Sequence, residues 1–197
     1  MGYMDIFKFS QEEIRDLIIS TLAIALIFAW YGRGIPHLDS WFGILFLISI
    51  FTVGSGFILH ELAHRTVARH FGALSEFKAW YEGLAIALVL KIILGFTFIA
   101  PGAVYIYKDY LTSKENGLIS LAGPLTNILL AFVFYMLHIP LISDLGFNVN
   151  LYLAAFNMIP VYPLDGSKII SWNPLVWGII SIPLFLWVLG LFNINLF

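Results

Sequence analysis

Long apolar runs, separated by short polar segments, dominate this chain. A transmembrane helix needs about 20 predominantly apolar residues to cross a hydrocarbon core of about 30 Å. Runs of about this length lie near residues 14–31, 41–63, 118–138, 149–168 and 174–193. The pattern predicts an all-α polytopic membrane protein with at least five transmembrane helices.

A sixth apolar run extends from Leu84 to Ile99 and has Lys91 in its middle. As a helix it would reach only about 24 Å, and a cation at the centre of a span costs roughly 2.5 to 3.5 kcal/mol. A re-entrant or partly immersed segment therefore suits this run better than a full span. The resulting prediction is five to six transmembrane helices.

Two short segments on either side of this run have the composition of strands. Residues 76–81 and 102–107 are rich in aromatic and β-branched side chains and lie close to Gly or Pro. We predict a small membrane-associated β-hairpin or sheet here, although an irregular loop would fit the composition equally well. The chain has no internal repeat and no long linker, so we expect one domain over residues 1–197.

The composition indicates a membrane environment and limits the side chains that could bind a metal. Hydrophobic residues make up 60% of the chain and charged residues 11%, so we expect a lipid bilayer around it. The net charge of -2 gives no bias toward nucleic acid, and we expect no such partner. Because the chain contains no Cys, a metal site must be built from His, Asp or Glu.

The basic residues predict the orientation in the membrane. If the run from Leu84 to Ile99 does not cross, nine of the ten Lys and Arg residues share one side, and only Arg33 lies on the other. Since Lys and Arg concentrate in cytoplasmic loops, the N-terminus and residues 65–116 are predicted to be cytosolic, the latter segment dipping toward the membrane. Residues 11–16 are charged, and no cleavage site follows the first apolar run, so we expect a retained anchor.

The second apolar run ends in a motif that carries chemistry, His60-Glu61-Leu-Ala-His64. Residues four apart lie on one face of a helix, so His60 and His64 can chelate one Zn²⁺ ion. Glu61 then lies where it can act as general base on a metal-bound water. Two imidazoles and a carboxylate in an apolar span are costly unless they have partners or a function, which argues against a chance match.

Zinc needs a third protein ligand, and two residues are candidates. His70 has the spacing of a longer zinc motif, but Val67 replaces the Gly at which the chain would turn back, so we predict a solvated residue at a helix end. Asp165 follows Pro160 and Pro163, which break the helix and leave a carboxylate free to turn toward a metal. A cap or a loop acid is the alternative for Asp165, but five spans put it at the same membrane depth as the motif.

Three segments in this order resemble the site-2 protease family of intramembrane zinc metalloproteases. They are His60-Glu61-Leu-Ala-His64, Gly123-Pro124-Leu-Thr-Asn127, and the stretch from Asn157 to Gly166. The resemblance implies that His60, His64 and Asp165 hold zinc, that Glu61 is the acid/base, and that Asn157 helps to stabilise the tetrahedral oxyanion. For Asn157, satisfying backbone groups in a broken helix is an equal alternative. Asn127 is similar to a family position near the substrate path, and interhelical hydrogen bonding is its alternative role. No PDZ or CBS module fits in the chain, so it resembles a minimal catalytic core.

We therefore expect an intramembrane protease near the cytosolic face that cleaves transmembrane protein substrates. An unwound substrate could pair with an edge strand near residues 76–81 or 102–107 and so present a carbonyl to the site. The main alternative is a polytopic membrane metal transporter or metal-binding protein in which His60, His64 and Asp165 form a transit site. A catalytically silent membrane scaffold is a third possibility.

Overall fold

The fold is mostly helical, and a computed structural model describes residues 9–30, 34, 36–95 and 101–190. Eight α-helices, one π-helical turn and two strands occur in these ranges. In chain order they are α1 (Gln11–Ala29), α2 (Ser40–Ser49), the π-helical turn (Ile50–Gly54), α3 (Ser55–His70), β1 (Leu74–Ala79), α4 (Tyr81–Leu94), β2 (Gly102–Tyr107), α5 (Ser113–Leu137), α6 (Ile142–Asn157), α7 (Asp165–Trp172) and α8 (Pro174–Val188).

Side-chain caps explain where several helices begin. Ser10 accepts a hydrogen bond from the backbone N–H of Glu13 at the start of α1. At the start of α5, Thr112 and Glu115 form a reciprocal capping box. Such caps satisfy N–H groups that the first turn of a helix leaves without a partner.

Two continuous helices in the described ranges are long and apolar enough to cross a membrane. The first joins α2, the π-helical turn and α3 into 31 residues, Ser40–His70, and the second is α5 with 25 residues. Helix α1 has 19 residues but carries charges in its first two turns, and α8 is a shorter apolar helix. The total of five to six spans remains a prediction.

The start of the predicted run 149–168 was wrong, whereas the helix break predicted from Pro160 and Pro163 is present. Helix α6 starts earlier, at Ile142, and ends at Asn157, while α7 starts at Asp165. The break contains Pro160 and Pro163, which lack an N–H and therefore disfavour the interior of a helix.

The run from Leu84 to Ile99 is helical as far as Leu94, where α4 ends at a left-handed Gly95; residues 96–100 lie outside the described residues. With 14 residues, α4 reaches about 21 Å, less than the hydrocarbon thickness. Re-entry of this segment stays a prediction.

The predicted small sheet is confirmed, and the irregular-loop alternative is wrong. Strands β1 and β2 pair antiparallel, with Leu74 opposite Tyr107 and Ala79 opposite Gly102. The first strand lies two residues earlier than predicted, because Tyr81 already begins α4. The ring of Trp80 packs where a Cβ on Gly83 would lie, so Trp80 marks the start of the helix and not the end of the strand.

Carboxylates of α1 hold the outer edge of β1. Glu13 accepts the backbone N–H of Phe77 at 3.0 Å and pairs with the guanidinium of Arg65 on α3. One turn later, Asp16 accepts the N–H of Ala79 at 3.0 Å. These contacts join α1, α3 and β1 at the end of α3 that carries the metal motif.

Helix α5 lies at the centre of the bundle and packs against α3, α6 and α7. One hydrophobic cluster joins α5, α6, α7 and α8 and includes Leu121, Met158, Ile169 and Leu184. A second joins α1, the π-helical turn, α3, β1 and α6 and includes Ile24, Val53, Phe57, Phe77 and Val149. The metal motif on α3 faces α5 between these two clusters.

Candidate metal centre

The motif residues occupy the buried face of α3. His60 and His64 are buried, as is Glu61 beside them. Gly56 and Ala68 extend the same row by four residues in each direction, which is the spacing of one helical face. Packing of this face against α5 therefore buries both imidazoles together.

The break between α6 and α7 brings Asp165 to the same place. Asp165 is the first residue of α7 and is buried. A Cβ on the following residue, Gly166, would collide with the backbone carbonyls of Met158 and Ile159. Glycine at this position lets the start of α7 lie directly against the end of α6, which turns the carboxylate inward.

Three side chains converge on one point. Nε2 of His64 lies 2.9 Å from Nε2 of His60 and 3.1 Å from Oδ2 of Asp165. Nε2 of His60 lies 3.5 Å from the same carboxylate oxygen. Among the described residues, this is the group of three His or acidic side chains arranged to share a metal ion.

Hydrogen bonds on the far side of each ring orient both imidazoles. Nδ1 of His60 donates to Oδ1 of Asn127 at 2.6 Å, and Nδ1 of His64 donates to the carbonyl of Ile119 at 2.7 Å. Each neutral ring then presents an unprotonated Nε2 to the cluster. Outer partners of this kind are typical of metal-binding histidines.

The donor set fits a zinc ion. With both rings neutral, two imidazole lone pairs and a carboxylate oxygen would face one another, which is unfavourable unless a cation joins them. Tetrahedral coordination with bonds of about 2.0 to 2.1 Å requires ligand atoms about 3.3 Å apart, close to the observed 2.9 to 3.5 Å. Three protein ligands also leave the fourth position for water or substrate.

Gly123 on α5 allows this convergence. A Cβ built on Gly123 would lie 2.5 Å from Nε2 of His60 and 2.5 Å from Nε2 of His64. Any side chain would therefore occupy the space between the two rings. The sequence pattern contained Gly123, but its role follows only from the approach of α5 to α3.

Glu61 lies beside the cluster, and one of its two carboxylate oxygens has no hydrogen-bond partner among the described residues. Its side chain is buried, and that oxygen is Oε2. Lys168 lies on the other side of Asp165, with Nζ 3.6 Å from Oδ1. An unbonded buried carboxylate oxygen next to three metal-type ligands is suited to moving a proton.

The two remaining candidate residues, His70 and Asn157, lie outside the group formed by His60, His64 and Asp165. His70 is exposed at the last residue of α3 and is not part of the metal-type group. Asn157 ends α6, and its Nδ2 donates to the carbonyl of Leu153 at 2.9 Å. That bond within α6 matches the alternative interpretation of Asn157, in which the amide satisfies backbone groups.

Sequence reasoning missed the surroundings of the ligands. Interhelical hydrogen bonding was one interpretation of Asn127, but its bond to His60 was not predicted, and neither Asn150 nor the carbonyl of Ile119 was singled out. A buried Asn in an apolar helix was the available signal, since such a side chain must find a hydrogen-bond partner. A backbone carbonyl leaves no signal in the sequence.

Three known proteins that are similar to this chain are named as putative zinc metalloproteases. A protein of Methanocaldococcus jannaschii named "Putative zinc metalloprotease MJ0611" is 56% identical over 189 residues, which cover 92% of this chain and 95% of that protein. The Mycolicibacterium smegmatis protein "Putative zinc metalloprotease Rip2" is 29% identical over 171 residues, covering 76% of this chain and 66% of that protein. The Bacillus subtilis protein "Putative zinc metalloprotease YwhC" is 28% identical over 149 residues, covering 62% and 67%.

No family model matches the chain, and no solved structure matches it. The similarity to the archaeal protein extends over nearly the whole length of both chains. Together with the buried group formed by His60, His64 and Asp165, it makes zinc the cofactor. The chain belongs to the site-2 protease family of zinc metalloproteases.

Proposed function

We propose that the protein is an intramembrane zinc metalloprotease that hydrolyses peptide bonds in or near transmembrane segments of membrane-protein substrates. The observation that carries this proposal is the buried Glu61 carboxylate, with an unbonded Oε2, beside the three metal-type ligands. A site built only to hold or pass a metal has no need of such a group.

In this proposal His60, His64 and Asp165 hold the zinc ion. When bound, zinc lowers the pKa of a water molecule and polarises the carbonyl that is to be cut. Glu61 takes the proton from the attacking water and passes it to the leaving nitrogen as the C–N bond breaks. Asn157 is the proposed donor to the oxyanion, which requires its amide to turn from its present bond to Leu153.

The substrate class follows from the helices that carry the site. His60 and His64 lie on α3 and face α5. Both α3 and α5 belong to helices long and apolar enough to cross a membrane. A peptide that reaches a site between two such helices must itself lie in or near the bilayer. The excess of basic residues on one predicted side favours a site near the cytosolic face.

We also propose that the substrate backbone pairs with β2 and not with β1. In an antiparallel pair, residues whose N–H and C=O groups point outward lie opposite one another. Phe77 and Ala79 point toward α1, where carboxylates bind them. Their partners Val104 and Gly102 therefore point their backbone groups to the free edge of β2.

The free edge of β2 lies close to the proposed base, because Val104 and Glu61 line the same small cavity. Strand addition at this edge would hold a substrate extended, with its carbonyls out of helical hydrogen bonds. Val104→Pro removes a free-edge N–H and should abolish cleavage with zinc retained. Val104→Thr, which keeps the N–H and the shape, should cleave normally; equal cleavage by both variants would refute the pairing.

The test of the main proposal compares Glu61→Gln with wild type in detergent. We expect one zinc per chain in both proteins and a fall of about 10²- to 10⁴-fold in cleavage of a membrane-anchored substrate. Glu12→Gln is the matched control, because it removes the same charge from an exposed position on α1. A wild-type protein that cleaves nothing but carries zinc across proteoliposomes would favour the transporter instead.

A further inference from the structure

A chain of buried hydrogen bonds leads away from His60 through α5 to α6. Oδ1 of Asn127 accepts a hydrogen bond from the Nδ1–H group of His60. Nδ2 of Asn127 donates to Oδ1 of Asn150 at 2.9 Å and to the carbonyl of Gly56 at 3.1 Å. Nδ2 of Asn150 in turn donates to the carbonyl of Gly146 at 2.8 Å. Both Asn side chains are 0% exposed.

The direction of every bond in this chain is determined by backbone carbonyls, which can only accept. The carbonyl of Gly146 requires the nitrogen of Asn150, so Oδ1 of Asn150 faces Asn127. The carbonyl of Gly56 and this oxygen together use both N–H groups of Asn127. Oδ1 of Asn127 therefore faces His60, and Nδ1 of His60 must carry the proton.

Reversing either amide would place oxygen against oxygen in a buried site, where an unmatched polar group costs more than in water. The geometry thus leaves one tautomer of His60, with the Nε2 lone pair directed at His64 and Asp165. Gly56 contributes twice, because a Cβ there would lie 2.5 Å from Oδ1 of Asn150.

We propose that Asn127 and Asn150 are positioning residues that fix the tautomer of His60 for zinc binding. Asn127 acts directly on the ring, and Asn150 acts through Asn127 from α6. The inference rests on the zinc site of the proposed function. It concerns the readiness of the metal-free protein to bind zinc, so it does not depend on which substrate is cut.

The experiment uses two substitutions at Asn127 in the full chain, purified in detergent. Asn127→Leu has a similar size and no acceptor for His60, and it should lower zinc affinity by about 10- to 100-fold, measured by chelator competition. Asn127→Asp places an oxygen against the carbonyl of Gly56, which should cost stability. It keeps an oxygen toward Nδ1, as in carboxylate–histidine–zinc sites, and it should therefore retain zinc affinity within a few fold. If Asn127 had only a structural role, the two variants should lose zinc affinity to the same extent.

The direct readout is the tautomer of His60 in the metal-free protein, from ring ¹⁵N NMR shifts recorded at a pH where His60 and His64 are neutral and assigned with a His60→Ala variant. Wild type and Asn127→Asp should show a protonated Nδ1 and an unprotonated Nε2. Asn127→Leu should show a mixture, and Asn150→Leu a smaller change in the same direction. Thr126→Val, which alters a hydroxyl bonded within α5, should change neither tautomer nor affinity.

An unchanged tautomer and affinity in Asn127→Leu would overturn the inference, as would loss of zinc by Asn127→Asp equal to that of Asn127→Leu. Failure of the proposed function has a different signature. In that case wild type would not cleave, whatever its tautomer, while the NMR and zinc measurements would still decide the role of the two Asn residues.

Discussion

A methyl group added at Gly123 would test the close approach of α5 to the metal centre. In Gly123→Ala the new Cβ would lie 2.5 Å from Nε2 of His60 and of His64, whereas ordinary contact begins at 3.4 Å. Each nitrogen would have to move by about 0.9 Å, which far exceeds the tolerance of about 0.2 Å in metal–ligand distances. Because two of three ligands are displaced, zinc affinity should fall by more than about 100-fold, beyond the usual effect of losing an outer partner.

The assay is chelator competition on detergent-purified protein, and α5 offers a matched control. In Gly117→Ala the Cβ would lie 2.5 Å from Cβ of Trp172, an equal crowding with no metal ligand involved. Overpacking of this kind costs about 1 to 3 kcal/mol, so the control should lower thermal stability and keep zinc. Zinc affinity of Gly123→Ala equal to wild type, or equal loss in both variants, would refute the reasoning.

Three further predictions concern residues around the site. Asn157→Ala should lower cleavage by about 10²- to 10³-fold with zinc retained; an unchanged rate would contradict an oxyanion role. Glu13→Ala removes the buried carboxylate that binds Arg65, and it should lower the free energy of unfolding by about 3 to 5 kcal/mol. An unchanged unfolding midpoint in detergent would contradict this. His70→Ala should bind zinc and cleave like wild type, because His70 is exposed at the end of α3; loss of zinc would show a role that the geometry does not support.

Much of the site could be predicted because its information is local. His60 and His64 are four residues apart, so a helix alone places them on one face. Asp165 could be predicted from the prolines before it and from the family resemblance. The small sheet also followed from composition, with an error of two residues where Trp80 packs on Gly83 and starts α4.

Other features depend on segments that are distant in the sequence. Pro160 and Pro163 predicted the helix break before Asp165, but hydropathy did not locate the start of α6 at Ile142. The two strands looked equivalent as edges for a substrate. Binding of Phe77 by Glu13, across 64 positions, covers β1, and within the described part of the chain no further strand pairs with β2.

The sequence by itself determined the apolar helical character, the zinc-binding motif on α3 and the choice of Asp165 over His70, because hydropathy and helical periodicity act over one segment at a time. Only the tertiary structure decided how those ligands are positioned and oriented for zinc. The contact of Gly123 with both rings and the bond from Asn127 to His60 across 67 positions arise from the packing of α3, α5 and α6. A sequence lists such residues, but their distances exist only once the helices have packed.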